Sequence, residues 1–220
     1  MKLSLECNII RYLLKDAYFF NGTAYAGKST MVKLLAERHD GICCGENYHD
    51  VFMDAIDPIH QPNLSYFETM SGWQEFISRT PEEYAAWITG CSIEAADLEI
   101  ARLIQLSAQG KKLFVDTNIP LATLKEISDY RHVAILLSPP SMSVDRFFER
   151  EDAEKQFLYQ QLKQAENPEA AMENYRNCLA KINSPENYRR FAESGFFTYV
   201  RREDSTISEA LEKIERHFGL

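Results

Sequence analysis

The run Gly22-Thr23-Ala24-Tyr25-Ala26-Gly27-Lys28-Ser29 constrains this chain more than any other feature, because it spaces two glycines, a lysine and a serine as G-x-x-x-x-G-K-S. The residues before it, Ala17-Tyr18-Phe19-Phe20, are apolar and aromatic over a short stretch, as a buried strand is. After it, apolar Met31, Leu34, Leu35 and Ala36 recur at helical spacing between Ser29 and His39, and Gly41 stands where such a helix stops. Strand, glycine loop and helix in that order are the context of a phosphate-binding loop. Glycines let the chain turn back so that successive N–H groups point inward at an anion. The helix N-terminus adds its partial positive charge at the same spot. Gly22, Thr23, Ala24, Tyr25, Ala26, Gly27, Lys28, Ser29 and Thr30 are therefore expected to hold nucleotide phosphates. Lys28 would reach the β- and γ-phosphates, and Ser29 would ligate Mg²⁺.

A length of 220 residues suits one domain with a small inserted subdomain, and 45% hydrophobic residues supply a large core. The net charge of −9 is spread along the chain and argues against a general nucleic-acid surface. No apolar run is long enough to span a membrane. Met1 to Glu6 lacks the charged-then-apolar plan of a signal peptide, so a cytoplasmic protein without a membrane partner is expected. The five cysteines, Cys7, Cys43, Cys44, Cys91 and Cys178, include no C-x-x-C pair. Reduced thiols are expected, rather than a zinc or redox centre.

Strand and helix signals alternate, which predicts an α/β fold with a mostly parallel sheet. The candidate strands are Tyr18–Phe20, Gly41–Cys44, Leu113–Asp116, Val133–Leu137 and Phe196–Val200. Residues Met1 to Lys15 carry no decisive pattern. Between the second and third strands lies a long insert, about residues 46–110. Within it, Thr80-Pro81-Glu82-Glu83 reads as a capping box with proline at the first helical position. The helix it opens places Tyr84, Trp87, Ile88 and Cys91 on one face, is expected to bend at Gly90, and resumes through Ala95, Leu98 and Leu103 to Gly110. Ser138-Pro139-Pro140-Ser141 is a turn, followed by a charged helix over about Val144 to Gln164. Asn167-Pro168 and Ser184-Pro185 open two more helices. The last, Thr206 to Phe218, puts Ile207, Leu211, Ile214 and Phe218 on one face, to cover a side of the sheet.

Asp116 ends an apolar run, and strand C-termini line the ligand crevice of parallel α/β sheets. A carboxylate there can hold Mg²⁺ directly or through water; as a plain turn residue it would instead cap the helix after Pro120. Glu46, His49 and Asp50 follow the second strand and share that sheet edge. They are candidates to bind a substrate or take its hydroxyl proton. Arg146 and Arg150, four apart on a predicted helix, share a face and can point at a transferring phosphate. The neighbouring acids Glu149, Glu151, Asp152 and Glu154 also allow them simple surface ion pairs. Tyr25 is bulky for a loop position beside a ligand, and either leans outward or packs on the insert. Arg189, Arg190, Arg201 and Arg202 read as solvated, with a role flanking a base open to one of them.

In layout, nearly the whole chain resembles a P-loop small-molecule kinase of the nucleoside-monophosphate-kinase and shikimate-kinase type. Gly22–Thr30 matches that family's loop, about 46–110 its acceptor-binding insert, and Arg146-x-x-x-Arg150 the start of its lid, about 141–168. Asp116-Thr117-Asn118-Ile119-Pro120 is similar to the D-G-x-P-R turn of nucleoside monophosphate kinases. Thr117 replaces the glycine, and Leu121 stands in place of the arginine. The resemblance implies a three-layer sandwich around a parallel five-stranded sheet of order 2-3-1-4-5. It also implies MgATP as cofactor and transfer of the γ-phosphoryl group to a small-molecule acceptor. Lys28, Asp116, Arg146 and Arg150 would then be the catalytic set, with Ser29 and Asp116 holding the metal. The same loop serves a nucleotide-dependent switch or ATPase module, but a guanine-reading N-K-x-D run is absent.

Overall fold

The structure, a computed structural model, describes residues 5–140, 147, 153–202 and 204–220. In chain order the main elements are α1 (Cys7–Leu13), β1 (Ala17–Gly22), α2 (Lys28–Arg38), β2 (Ile42–Cys44), α3 (Tyr66–Thr69), α4 (Trp73–Ile77), α5 (Pro81–Ser107), β3 (Leu113–Asp116), α6 (Leu121–Ile127), β4 (Val133–Leu137), α7 (Ala153–Lys163), α8 (Pro168–Ile182), α9 (Pro185–Ala192), β5 (Phe197–Val200) and α10 (Ile207–Phe218). The stretch 1–15, which carries no decisive sequence pattern, contributes α1.

The five strands form one sheet in the order β2-β3-β1-β4-β5, and every neighbouring pair is parallel. This is the expected order. β1 lies at the centre, with Phe20 beside Asp116 of β3 and Ala134 of β4. The strands read as near-continuous apolar runs because both faces are covered. Alternation sorts their side chains between two cores. Phe19, Val115, Val133, Ile135 and Leu137 face α1, α5, α6 and α9. Tyr18, Phe20, Phe114, Ala134 and Leu136 face α2 and α10. On α10 the buried residues are Ala210, Leu211, Ile214 and Phe218, while Ile207 is exposed.

The insert has a core of its own. Phe76, Ile77 and Tyr84 pack with Leu158 and Leu162 of α7 and Tyr175, Cys178 and Leu179 of α8. The helix α5, 27 residues or about 40 Å long, joins the two regions. Its N-terminal half carries Tyr84 into the insert core, and its C-terminal half carries Ala96, Leu103 and Leu106 into the sheet core. The capping box at Thr80 and Glu83 forms as its sequence predicts. The helix runs unbroken through Gly90. Gly90 serves a close approach: a Cβ there would stand 2.4 Å from the Asn63 amide. Asn63 is pinned against α5 on three sides. The Trp87 indole N–H donates to its carbonyl, and Glu94 accepts from its backbone N–H, from its side-chain amide and from the Leu64 N–H.

Among the described residues, no helix is long and apolar enough to cross a membrane. All five cysteines are free, as expected.

The Glu94 clamp makes a prediction about the insert. Replacing Glu94 with Ala leaves three N–H donors to find other partners, so unfolding free energy should fall by about 1–3 kcal/mol. The exposed neighbour Asp97→Ala should change it by less than about 0.5 kcal/mol. Urea titration of the two variants compares them directly.

Candidate functional site

The loop between β1 and α2 is shaped by two glycines with different tasks. Gly22 has φ +128°, and a Cβ on it would stand 2.0 Å from the Leu136 carbonyl oxygen of β4. No other residue fits that approach. The next N–H, of Thr23, donates to the same carbonyl at 3.0 Å. Gly27, at φ +93°, is the residue from which α2 starts. No side chain caps α2 and no acid stands in its first turn, whereas α5 and α10 both begin with full capping boxes. The positive end of α2 is thus left facing the loop. Tyr25 takes a left-handed conformation at φ +62° without being glycine.

The loop's carbonyls are held by outside donors. The Ser138 hydroxyl, at the end of β4, donates to the Ala24 carbonyl at 2.6 Å. The Ser138 N–H donates to the Thr23 hydroxyl at 2.8 Å. Arg201, just past β5 and exposed as its solvated reading expects, also donates to the Tyr25 carbonyl at 2.7 Å. Carbonyls turned to these partners are what a concave set of inward N–H groups requires.

Lys28 and Ser29 open α2 at the mouth of the loop. The Lys28 ammonium donates to the Thr23 carbonyl at 3.2 Å and lies 4.0 Å from the Asp116 carboxylate. The Ser29 hydroxyl donates to the other oxygen of the same carboxylate at 2.7 Å. Asp116 is 7% exposed and ends β3, the strand beside β1. The sheet order therefore joins the adjacent lysine and hydroxyl to a carboxylate 87 residues beyond Ser29 in sequence. A hydroxyl and a carboxylate are the hard oxygen donors that Mg²⁺ takes alongside phosphate oxygens and water. This donor set fits that ion. Among the described residues, no cluster of three or more His, Cys, Asp or Glu side chains forms an all-protein metal cage.

Of the three candidates on the loop after β2, His49 is buried, while Glu46 and Asp50 are exposed. Burial pushes the His49 imidazole below its usual value, so it is neutral at physiological pH. Arg146 and Arg150 lie outside the described residues. Cys43 is exposed and Cys44 buried; burial pushes the Cys44 thiol up to about 12 and keeps it protonated.

Two polar residues at the site were not singled out from the sequence. Asn21 is buried; its side-chain amide donates to the Ile119 carbonyl and its side-chain oxygen accepts from the Gly22 N–H, tying the turn after β3 to the start of the loop. Glu99 of α5 is 2% exposed and accepts hydrogen bonds from the Tyr48 and Thr117 hydroxyls. Its signal in the sequence was position: it falls on the stripe of Ala95, Ala96 and Leu103, where a charge is out of place. Burial pushes its carboxyl above the usual range, against the hydrogen bonds from Thr117, Tyr48 and the Asn118 N–H.

Comparison with protein-family models, with curated proteins and with solved structures found no match.

Glu99 sets a pH dependence with a definite sign. Between its ordinary value of 4.5 and its raised folded value, the folded chain holds a proton that the unfolded chain has released. Stability from this group therefore falls as pH rises through that window. Glu99→Gln removes that slope. The unfolding free energy of the variant minus that of the wild type should rise from pH 4.5 toward neutrality, read by denaturant titration at each pH. A difference constant with pH would contradict the assignment.

Proposed function

We propose that this protein transfers the γ-phosphoryl group of MgATP to a small-molecule acceptor. The observation that carries the proposal is the meeting of Lys28, Ser29 and Asp116 at the mouth of a glycine-shaped loop on the central strand. The P-loop small-molecule kinase resemblance supports the reaction type. The insert between β2 and β3 supports it too, because an acceptor needs walls.

In this reading the loop amides and the positive end of α2 hold the triphosphate. Lys28 exchanges its present acceptor, the Thr23 carbonyl, for phosphate oxygens. Ser29 and Asp116 are the residues that would hold Mg²⁺, which supplies charge neutralisation on the phosphates when bound. The acceptor oxygen forms a bond to the γ-phosphorus as the bond to the β–γ bridging oxygen breaks and ADP leaves. Its proton passes to a carboxylate of the loop after β2, Glu46 or Asp50. Arg146 and Arg150, which lie outside the described residues, would act on the charge of the transferring group, and exclusion of water from the site would suppress hydrolysis.

The test is incubation with MgATP and a panel of small hydroxyl and phosphate acceptors, scoring ADP and phosphorylated product. Product from one acceptor class is expected. ADP release without product from any acceptor would instead favour a switch or ATPase module. Lys28→Ala should lower turnover by about 100-fold or more, as loss of a charge-stabilising donor does. A Lys28→Ala protein with wild-type turnover would overturn the mechanism.

A further inference from the structure

Glu99 bonds both the turn behind Asp116 and the loop after β2. One of its oxygens accepts from Tyr48, on the loop after β2, at 2.7 Å. The same oxygen accepts from the hydroxyl of Thr117, the residue after Asp116. Thr117 is itself fixed: its N–H donates to the Phe20 carbonyl of β1 at 3.0 Å, and its hydroxyl accepts from the Ile119 N–H at 2.9 Å. One carboxylate on the insert helix therefore grips the turn behind Asp116 and the candidate acceptor loop together. His49, beside Tyr48, brings its Nδ1 to 4.0 Å from the second Glu99 oxygen. That nitrogen is buried and has no hydrogen-bond partner. Burying a carboxylate costs stability that an apolar side chain of the same volume would not cost. Packing alone does not account for a glutamate at this place.

We infer that Glu99 is a positioning residue, which aims Asp116 through Thr117 and couples the insert and the loop after β2 to metal binding at the phosphate site. The inference rests on Ser29 and Asp116 being the Mg²⁺ ligands. Its consequence is that the metal's affinity depends on a bond made from the acceptor side. Substrate seated against the loop after β2 then changes metal binding, and metal changes substrate binding by the same factor.

The experiment is a Mg²⁺ titration of the full chain with a fluorescent N-methylanthraniloyl ATP, followed as nucleotide binding, with a parallel series without metal. Thr117→Val removes the hydroxyl that links Glu99 to the turn. It should raise the half-saturating Mg²⁺ concentration by roughly 10-fold, a loss of the size seen when the outer support of a metal ligand is removed. Thr117→Ser keeps the hydroxyl and should restore the wild-type value. Nucleotide affinity without Mg²⁺ should be the same in all three proteins, which a general loosening of the fold would not leave unchanged. Glu99→Ala also frees the Tyr48 hydroxyl and should raise the half-saturating Mg²⁺ concentration at least as much as Thr117→Val. Adding Thr117→Val to Glu99→Ala should cause little further loss, because the Glu99–Thr117 bond is already gone. If Glu99→Ala does not fold, the valine and serine variants decide. Thr117→Val with wild-type Mg²⁺ dependence overturns the inference, and so does an equal loss of affinity with and without Mg²⁺. A wild-type protein whose nucleotide binding ignores Mg²⁺ removes the metal reading itself, and the inference with it.

Discussion

The hydrogen bond from Ser29 to Asp116 depends on a single topological fact, that β3 lies beside β1. Ser29 follows the loop at the end of β1, and Asp116 is the last residue of β3. In a parallel sheet both strands end at the same edge, so neighbouring strands bring their following residues together. Everything proposed for the site needs that adjacency. The long insert can depart between β2 and β3 without disturbing it, because the sheet pairing is closed by Phe19 beside Val115 and Phe20 beside Asp116 before the loop begins.

The helix α5 gives the insert its relation to the site. It is anchored in the sheet core at one end and in a separate core with α7 and α8 at the other. The insert therefore does not hang from two loop ends; it is carried on one continuous helical rod. One aromatic contact extends its outer core to α7, and a cation over a ring closes the insert's own core. Trp73 meets Phe157 edge-on at 4.9 Å, and Arg79 lies 3.7 Å from the Tyr66 ring. Glu99 lies in the half of α5 that is anchored in the sheet core, where it bonds the turn after β3. A polar tie at that point transmits the placement of the rod to Asp116.

How much of this could be read from the chain follows from how local each cause is. The loop was legible because glycine spacing, the preceding apolar run and the following helical pattern are all within a few residues of one another. Asp116 was legible because an apolar run that ends in a carboxylate is a local pattern with a positional meaning. The close approach at Gly90 was hidden because its partner, Asn63, lies on a loop 27 residues earlier, and no periodicity reports that. Glu99 and Asn21 went unnoticed because their partners, Thr117 and Ile119, lie across the sheet edge. The packing of the insert on α7 and α8 was hidden for the same reason: Tyr84 and Tyr175 meet only in the folded chain.

A crystal structure with Mg²⁺ and a non-hydrolysable ATP analogue tests the central claim most directly. The account predicts the triphosphate inside the Gly22–Thr30 loop, Lys28 moved from the Thr23 carbonyl onto phosphate oxygens, and the metal held by Ser29 and Asp116. A nucleotide bound elsewhere would contradict it, as would a Lys28 still on the Thr23 carbonyl with the Ser29–Asp116 bond intact beside a bound analogue.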